Sequence, residues 1–246
     1  MTLPSGSRLT DRTGRGVSVA IIDSGVNAMH PHVRFSGDGI AIREDGSLDA
    51  DFTDRLGHGT AVAAVIAEKA PDAPLLVVKV FWQSLATTVS TLVRAIEVSC
   101  ERGARLINLS LGTTNVAHRP SLETVVEYAS SHGAIVIAAL EDGGRPWLPG
   151  SIAGEVIPVL LDWQCDRHAC KILSRDGRRV VCASGYPRDA AHLPRERNLK
   201  GISFAVANAT GFVARALEGQ SGARAADALD ILAAAGAVET SVGSSS

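Results

Sequence analysis

Aromatic residues are scarce in this chain of 246 residues, since Phe, Trp and Tyr together make up 4% of it. The hydrophobic fraction is nevertheless 46%, so the core must consist mainly of Ala, Val, Ile and Leu. Neither sign of charge is in excess, because 24 basic residues stand against 26 acidic ones. This balance indicates neither a nucleic acid nor an anionic membrane surface as a partner.

Long apolar runs are also missing from the sequence. Residues 1–8 have no apolar stretch of the kind that forms a signal peptide, and no other segment is apolar enough to span a bilayer. We therefore predict a cytoplasmic protein with no membrane partner. Its length fits one large domain, which we predict over residues 1–238, followed by a disordered tail over residues 239–246. Nothing in the sequence sets the oligomeric state.

Only four cysteines are present, and their number and irregular spacing exclude a disulfide framework. A reducing compartment would keep Cys100, Cys165, Cys170 and Cys182 as thiols. The last three, with His168 after the first of them, offer metal-ligating atoms. Their spacing departs from the two-residue knuckles that zinc sites prefer, so we predict no metal and no cofactor.

Short runs rich in Val and Ile alternate with helix-like segments, which predicts a parallel sheet with helices on both faces. The predicted strands are 17–23, 75–80, 105–109, 134–139 and 156–161. The predicted helices are 59–69, 85–102, 121–132 with Ser121 as N-cap, one after Ser203 and one over 225–235. Residues 162–200 predict hairpins and loops, with a turn at Asp176-Gly177.

Three polar residues stand at the ends of apolar segments. Asp23 ends the first predicted strand, and the carboxyl edge of a parallel sheet is where α/β proteins place their sites. His58 lies between two glycines directly before an apolar helix. Ser203 opens another apolar helix, whose N–H groups and dipole stabilise developing negative charge. Taken singly, each residue also has an ordinary structural explanation. Asp23 could simply start a turn, His58 could be a surface histidine, and Ser203 could be an N-cap. Together, in the order Asp, His and Ser, they predict a serine-protease triad.

Five segments in this order resemble the subtilisin-like (S8) peptidase family, and the resemblance extends from Gly14 to about Leu217. They read IIDSGV over residues 21–26, GHGT over 57–60, VVKV over 77–80, INLSLG over 107–112 and GISFA over 201–205. The resemblance implies a single-domain, three-layer α/β fold and an enzyme that hydrolyses peptide bonds.

The resemblance also implies a role for each motif residue. Ser203 would attack the scissile carbonyl, His58 would take its proton and pass it to the leaving amine, and Asp23 would orient the imidazole. The strand of Ser110, Leu111 and Gly112 would bind a peptide or protein substrate in extended conformation, as an added strand.

One substrate-binding segment departs from the family's pattern. It usually reads AAGNEG and here aligns with AALEDG over residues 138–143, so Leu140 replaces a pocket glycine. If the side chain of Leu140 fills that position, the pocket should prefer small side chains; the alternative is that Leu140 turns into the core. Glu141 replaces the asparagine that stabilises the oxyanion, and its carboxyl group can donate a hydrogen bond only when protonated. A slip of one residue in the alignment would place Asp142 there instead.

Three further departures bear on the expected structure. Ala207-Asn208 stands where the nucleophile's helix usually carries Pro-His, so we do not expect the usual kink. Residues 69–74 leave no room for the calcium-binding loop of secreted relatives, which predicts no metal there. The chain begins shortly before Asp23, without the inhibitory prodomain of exported members, so we expect either that it folds unaided or that this is a mature or trimmed form.

These features predict a cytoplasmic serine endopeptidase. Its small size, with no prodomain and no calcium loop, favours a dedicated role such as removing the leader from one precursor peptide. An inactive pseudo-peptidase, which binds extended peptides without cleaving them, stays open because the oxyanion asparagine is missing. A peptide ligase is disfavoured, since no insertion near His58 forms a lid against water.

Overall fold

The computed structural model describes residues 8–33, 35, 37–189, 194 and 197–241. The strands are β1 (Val19–Asp23), β2 (Gly37–Ile42), β3 (Leu48–Asp49), β4 (Leu75–Lys79), β5 (Leu106–Leu109), β6 (Ile135–Ala139), β7 (Glu141–Asp142), β8 (Arg145–Pro146), β9 (Val156–Leu161), β10 (Lys171–Arg175), β11 (Arg178–Ala183) and β12 (Val238–Ser241). The α-helices are α1 (His58–Lys69), α2 (Val89–Glu101), α3 (Arg119–Ser131), α4 (Ile202–Ala216) and α5 (Ala225–Ala234).

One sheet of ten strands runs in the order β12-β10-β11-β9-β6-β5-β1-β4-β2-β3, and β7 and β8 form a separate hairpin. Neighbours in the large sheet are parallel, except for the antiparallel pairs β10–β11 and β2–β3. Every residue of β1, β4, β5 and β6 is buried. Continuous apolar strands of this kind are stable only where helices cover both faces of a sheet.

The core lies in two apolar layers, one on each face of the sheet. Val19 and Ile21 of β1 pack into the layer that holds α1, α4 and α5. Ala20 and Ile22 pack into the layer that holds α2 and α3. Successive side chains of a strand point to opposite faces, so a strand of small aliphatic residues serves both layers. The predicted three-layer α/β fold is confirmed.

Several predicted boundaries need correction. The helix predicted from Ser121 begins at Arg119 and takes Pro120 into its first turn, where proline's fixed φ suits a helix. The helix predicted from residue 85 begins at Val89, and the side chain of Thr88 caps it. The turn at Asp176-Gly177 is confirmed, since both residues have positive φ between β10 and β11.

The predicted tail over residues 239–246 is wrong at its start. Residues 239–241 belong to β12, which pairs in parallel with β10 at the edge of the sheet. The strand lies at the edge of the sheet, and its sequence VETS has no clear alternation of apolar and polar residues, so the sequence does not predict it. Residues 242–246 lie outside the described residues.

The topology brings the candidate residues to one edge of the sheet. β1 and β5 are adjacent and parallel, so Asp23 and Ser110 come at the same carboxyl edge. Helices α1 and α4 pack against each other in the layer above these strands. Gly211 permits this approach, because a Cβ atom there would collide with the side chain of Lys69. The first residues of both helices lie at the edge where β1 and β5 end, since His58 contacts Asp23 and Ser203 contacts Ser110.

Candidate active site

Asp23 and His58 form a hydrogen-bonded pair at the carboxyl end of β1. The imidazole Nδ1 lies 2.8 Å from Asp23 Oδ1, which also accepts a hydrogen bond of 2.7 Å from the backbone N–H of Ser24. The Asp23 side chain is 1% exposed and that of His58 14% exposed. An Nδ1–H that donates to a carboxylate leaves Nε2 of the neutral ring free to accept a proton.

Burial and charge act in opposite directions on His58. Burial lowers the pKa of the imidazole, but the hydrogen bond from Nδ1 to Asp23 and the negative charges of Asp23 and Asp54 raise it. The net effect is a pKa above the ordinary value of 6.5. An imidazole that is neutral and held by a carboxylate at Nδ1 can act as a general base through Nε2.

Asp54 organises the loop that carries His58. Its Oδ1 accepts hydrogen bonds of 2.9 Å from the Ser24 hydroxyl and from the N–H groups of Leu56 and Gly57. Its Oδ2 accepts from the N–H and the hydroxyl of Thr60, at 2.8 and 2.6 Å. One half-buried carboxylate therefore caps the start of α1 and ties it to the end of β1.

The close contact between α1 and β1 requires a glycine after the histidine. Gly59 N–H donates to the Ser24 hydroxyl at 2.9 Å. A Cβ atom at Gly59 would collide with the carbonyl oxygen of Gly25 and lie 3.2 Å from Asp23 Oδ1. Any side chain at this position would push His58 away from Asp23.

Ser203 lies in the first turn of α4, beside His58. The ring of its neighbour Phe204 lies 5.7 Å from the imidazole, measured between ring centroids. The Ser203 hydroxyl donates to the carbonyl oxygen of Ser110 at 3.3 Å, so its hydrogen is not directed at His58. Catalytic hydrogen bonds often tighten only when substrate binds.

The start of α4 leaves one backbone donor, the N–H of Ser203, without a partner among the residues that the structure describes. The N–H groups of Phe204 and Ala205 both donate to the carbonyl oxygen of Gly201. Within the described part of the chain, the N–H of Ser203 makes no hydrogen bond. Unpaired N–H groups in the first turn of a helix stabilise an anion at that point.

A chain of buried polar side chains ties the segment that is predicted to bind substrate to α4. Thr210 donates to Asn108 Oδ1 at 3.0 Å, and Asn108 Nδ2 donates to the Ser110 hydroxyl at 3.0 Å. That hydroxyl in turn donates to the carbonyl oxygen of Ser203 at 3.4 Å. The backbone groups of Leu111 and Gly112 make no hydrogen bond to any residue that the structure describes, so they are available to an extended peptide.

Leu140 and Glu141 follow the end of β6. The backbone of Leu140 is paired on both sides, since its N–H donates to Val159 and its carbonyl oxygen accepts from Trp147. The carboxylate of Glu141 accepts a hydrogen bond of 3.1 Å from Arg175. This contact directs the carboxylate of Glu141 toward β10, and an oxyanion-binding role for Glu141 stays a prediction.

A sequence model of the Subtilase family matches residues 14–150, more than half of the chain. The chain belongs to the subtilase family. The matched range contains Asp23 and His58, whereas Ser203 lies beyond it.

Individual relatives agree with this membership. The subtilase is 32% identical over 214 residues to the thermostable alkaline protease of Halalkalibacterium halodurans, an alignment that covers 82% of this chain and 56% of that protein. The chain spans 56% of the length of that relative and 34% of the length of the thermophilic serine proteinase of Bacillus sp. (strain AK1), to which it is 34% identical over 141 residues, 52% of this chain.

Two solved structures share the fold. A cold adapted subtilisin-like serine proteinase is 21% identical, with a TM-score of 0.71 over 89% of this chain and 82% of that one. The prenylagaramide maturation protease PagA is 26% identical, with a TM-score of 0.64 over 86% of this chain and 80% of that one.

Asn208 stands in the subtilase where the family usually carries histidine. Its Nδ2 donates to the carbonyl oxygens of Ser184, Tyr186 and Phe204, at 2.9, 3.1 and 2.9 Å. These bonds tie α4 to the loop after β11. The helix runs without interruption from Ile202 to Ala216.

The cysteines of the subtilase are all buried and unpaired. Cys165 Sγ contacts the carbonyl oxygens of Ala169 and Cys182, at 3.5 and 3.9 Å.

Among residues 8–33, 35, 37–189, 194 and 197–241, no group of three or more His, Cys, Asp or Glu side chains is arranged to hold a metal. In the same part of the chain, no helix is long and apolar enough to cross a membrane.

Sequence reasoning missed the residues that support the site. Asp54 stands four positions before His58, and a carboxylate just before an apolar helix is a capping signal that could have identified it. Asn108 and Thr210 had no such signal, because each is one polar residue within an apolar element.

Proposed function

We propose that this subtilase is a serine endopeptidase that cleaves peptide bonds through an acyl-enzyme on Ser203. The observation that carries the proposal is the buried pair of Asp23 and His58, with Nδ1 and Oδ1 2.8 Å apart, beside the start of α4. Membership of the subtilase family supports the same reaction class.

The proposed reaction has two steps. The Ser203 hydroxyl turns from Ser110 to His58 and attacks the scissile carbonyl, while His58 Nε2 takes its proton and returns it to the leaving amine. Water then attacks the acyl-enzyme, with His58 again as the base. Asp23 stays ionised throughout and stabilises the imidazolium. The N–H of Ser203 donates to the oxyanion as it forms.

The proposed substrate is a peptide in extended conformation that pairs with Leu111 and Gly112. A role in maturation, such as removal of a leader from a precursor, is supported by the 26% identity to a prenylagaramide maturation protease. We place the enzyme in the cytoplasm, because its four buried cysteines are unpaired and a reducing compartment keeps thiols in that form.

Two observations favour a second candidate, a pseudo-peptidase that binds peptides without cleaving them. The Ser203 hydroxyl donates to Ser110 rather than to His58. The residue aligned with the oxyanion asparagine, Glu141, is paired with Arg175. Either feature would slow acylation.

A fluorophosphonate probe separates the two candidates, because it reacts only with an activated serine. We expect it to label the native protein once, at Ser203, and labelling to be lost in Ser203→Ala and in His58→Ala. His132→Ala, which removes an exposed histidine distant from the site, should label like the wild type. Folding of each variant is checked by circular dichroism.

An unlabelled native protein, under conditions where a known subtilisin reacts, would favour the pseudo-peptidase. Labelling that survives in His58→Ala would remove His58 from the role of base. If the probe labels Ser203, a peptide library analysed by mass spectrometry then identifies the bonds that the enzyme cleaves.

A further inference from the structure

Trp147 lies between the two segments that flank the proposed substrate. Its backbone N–H donates to the carbonyl oxygen of Leu140 at 2.9 Å, at the end of β6. Its indole reaches across to Gly112, at the end of the strand that follows β5. The side chain therefore fills the gap between these two segments.

Gly112 and the indole fit each other closely. A Cβ atom at Gly112 would lie 2.5 Å from Trp147 Nε1 and 2.6 Å from Cδ1, so only glycine leaves room for the ring. The indole Nε1 is buried and has no hydrogen-bond partner among the residues described. The rest of the ring packs against the apolar layer that contains α1 and α4.

The backbone around Trp147 is held on both sides. The next residue, Leu148, is buried and exchanges two hydrogen bonds with Thr113, of 3.0 and 2.9 Å. Two residues further, a Cβ atom at Gly150 would collide with the backbone of Ala139. The ring is therefore anchored at the end of β6 and does not lie on a free loop.

We propose that Trp147 is a specificity-determining residue, whose indole closes the pocket for the residue that supplies the scissile carbonyl and restricts it to glycine or alanine. This inference rests on the proposed function, in which the substrate pairs with Leu111 and Gly112. A larger side chain would have to displace a ring that is packed and anchored. Leu140, to which the sequence assigns the same effect, contacts Trp147 through its backbone carbonyl oxygen, whereas the Trp147 side chain itself lies beside Gly112.

The test compares two peptide substrates that differ only in the residue before the cut, alanine or phenylalanine. The wild type should prefer alanine in kcat/KM, and one misfitting group changes such ratios by about 10–200-fold. Trp147→Ala should lower the alanine-to-phenylalanine ratio at least about tenfold. Trp147→Phe keeps an aromatic ring in the packed position, so this variant should fold, and it should lower the alanine-to-phenylalanine ratio by less.

Leu140→Ala is the comparison variant, because the sequence assigns the same effect to Leu140. We expect it to lower the ratio by less than Trp147→Ala does. A ratio that falls in Leu140→Ala and stays constant in both Trp147 variants would overturn the proposal. So would a wild type that cleaves the two peptides equally well.

Failure of this inference can be told apart from failure of the proposed function. If the fluorophosphonate labels all variants and the ratio does not change, Trp147 is not the determinant and the enzyme assignment stands. If the wild type is not labelled, binding of the same two peptides is measured by calorimetry. Tighter binding of the phenylalanine peptide by Trp147→Ala than by wild type, at least about tenfold, supports the closed pocket; unchanged binding overturns it.

Discussion

Replacing Asp54 by asparagine should lower both the stability of the fold and the pKa of His58. Oδ1 of the carboxylate accepts from one set of donors and Oδ2 from another, and asparagine keeps only one of these two oxygens. If that oxygen faces Ser24, the N–H of Thr60 faces an amide NH₂ and loses its acceptor. Loss of such a charge-assisted bond costs about 1.5–3 kcal/mol, and for this half-buried side chain we take about 2 kcal/mol. That corresponds to a fall in melting temperature of about 4–8 °C for a domain of this size.

The stability effect should depend on pH in a defined direction. Burial opposes ionisation of Asp54, but hydrogen bonds from Thr60, Leu56 and Gly57 outweigh it and hold the pKa below the ordinary value of 3.8. A carboxyl group with a lowered pKa in the folded state stabilises the protein fully above its unfolded pKa. That stabilisation is lost as the pH falls through the folded pKa. The melting temperatures of the wild type and of Asp54→Asn should therefore converge below about pH 3.8.

Asp54→Asn should also change how the rate of fluorophosphonate labelling depends on pH. The charge of Asp54 helps to raise the pKa of His58 above 6.5. Labelling by the fluorophosphonate needs neutral His58, so its rate rises as the pH increases through that pKa. Asp54→Asn lowers the pKa of His58, and the acid limb of the profile should move to lower pH.

Asp51→Asn is the control for both measurements. Asp51 lies in the same loop, where its carboxylate accepts hydrogen bonds from Arg55 and from the N–H of Thr53, rather than from residues of α1. Its removal should leave the acid limb of labelling in place and change the melting temperature less. An Asp54→Asn variant with the melting temperature and the acid limb of the wild type would refute this account of the loop.

Two further predictions follow from side chains elsewhere. Glu141→Gln replaces a carboxylate by an amide that can donate a hydrogen bond and should raise turnover, since loss of one oxyanion donor costs about 10²–10³-fold in subtilisin. A rate equal to that of the wild type, with Asp142→Asn as control for a slip in alignment, would remove Glu141 from the site. Burial raises the pKa of Cys170 to about 12 and of Cys182 to about 11. The native protein should therefore react slowly with iodoacetamide at about pH 8 and bind four labels only after unfolding, and rapid labelling of the native state would contradict this.

The sequence alone was sufficient for the fold class and for the candidate triad. Strands such as β1 are continuous runs of small aliphatic residues, and this local pattern reports a sheet that is buried on both faces. Asp23, His58 and Ser203 each stand where an apolar element begins or ends, within a short contiguous motif. Features of this kind depend on neighbours along the chain, so the sequence displays them directly.

Only the tertiary structure decided which side chains surround these residues. Arg175 pairs with Glu141 across 34 positions, and Thr210 bonds Asn108 across 102. The indole of Trp147 meets Gly112 because a loop after β6 returns to the end of β5. Such contacts form between segments that the order of the sheet brings together, and no local pattern of residues encodes that order. The sequence therefore determined the kind of chemistry that we propose, while the folded chain decided that Arg175 lies beside Glu141 and the Trp147 indole beside Gly112.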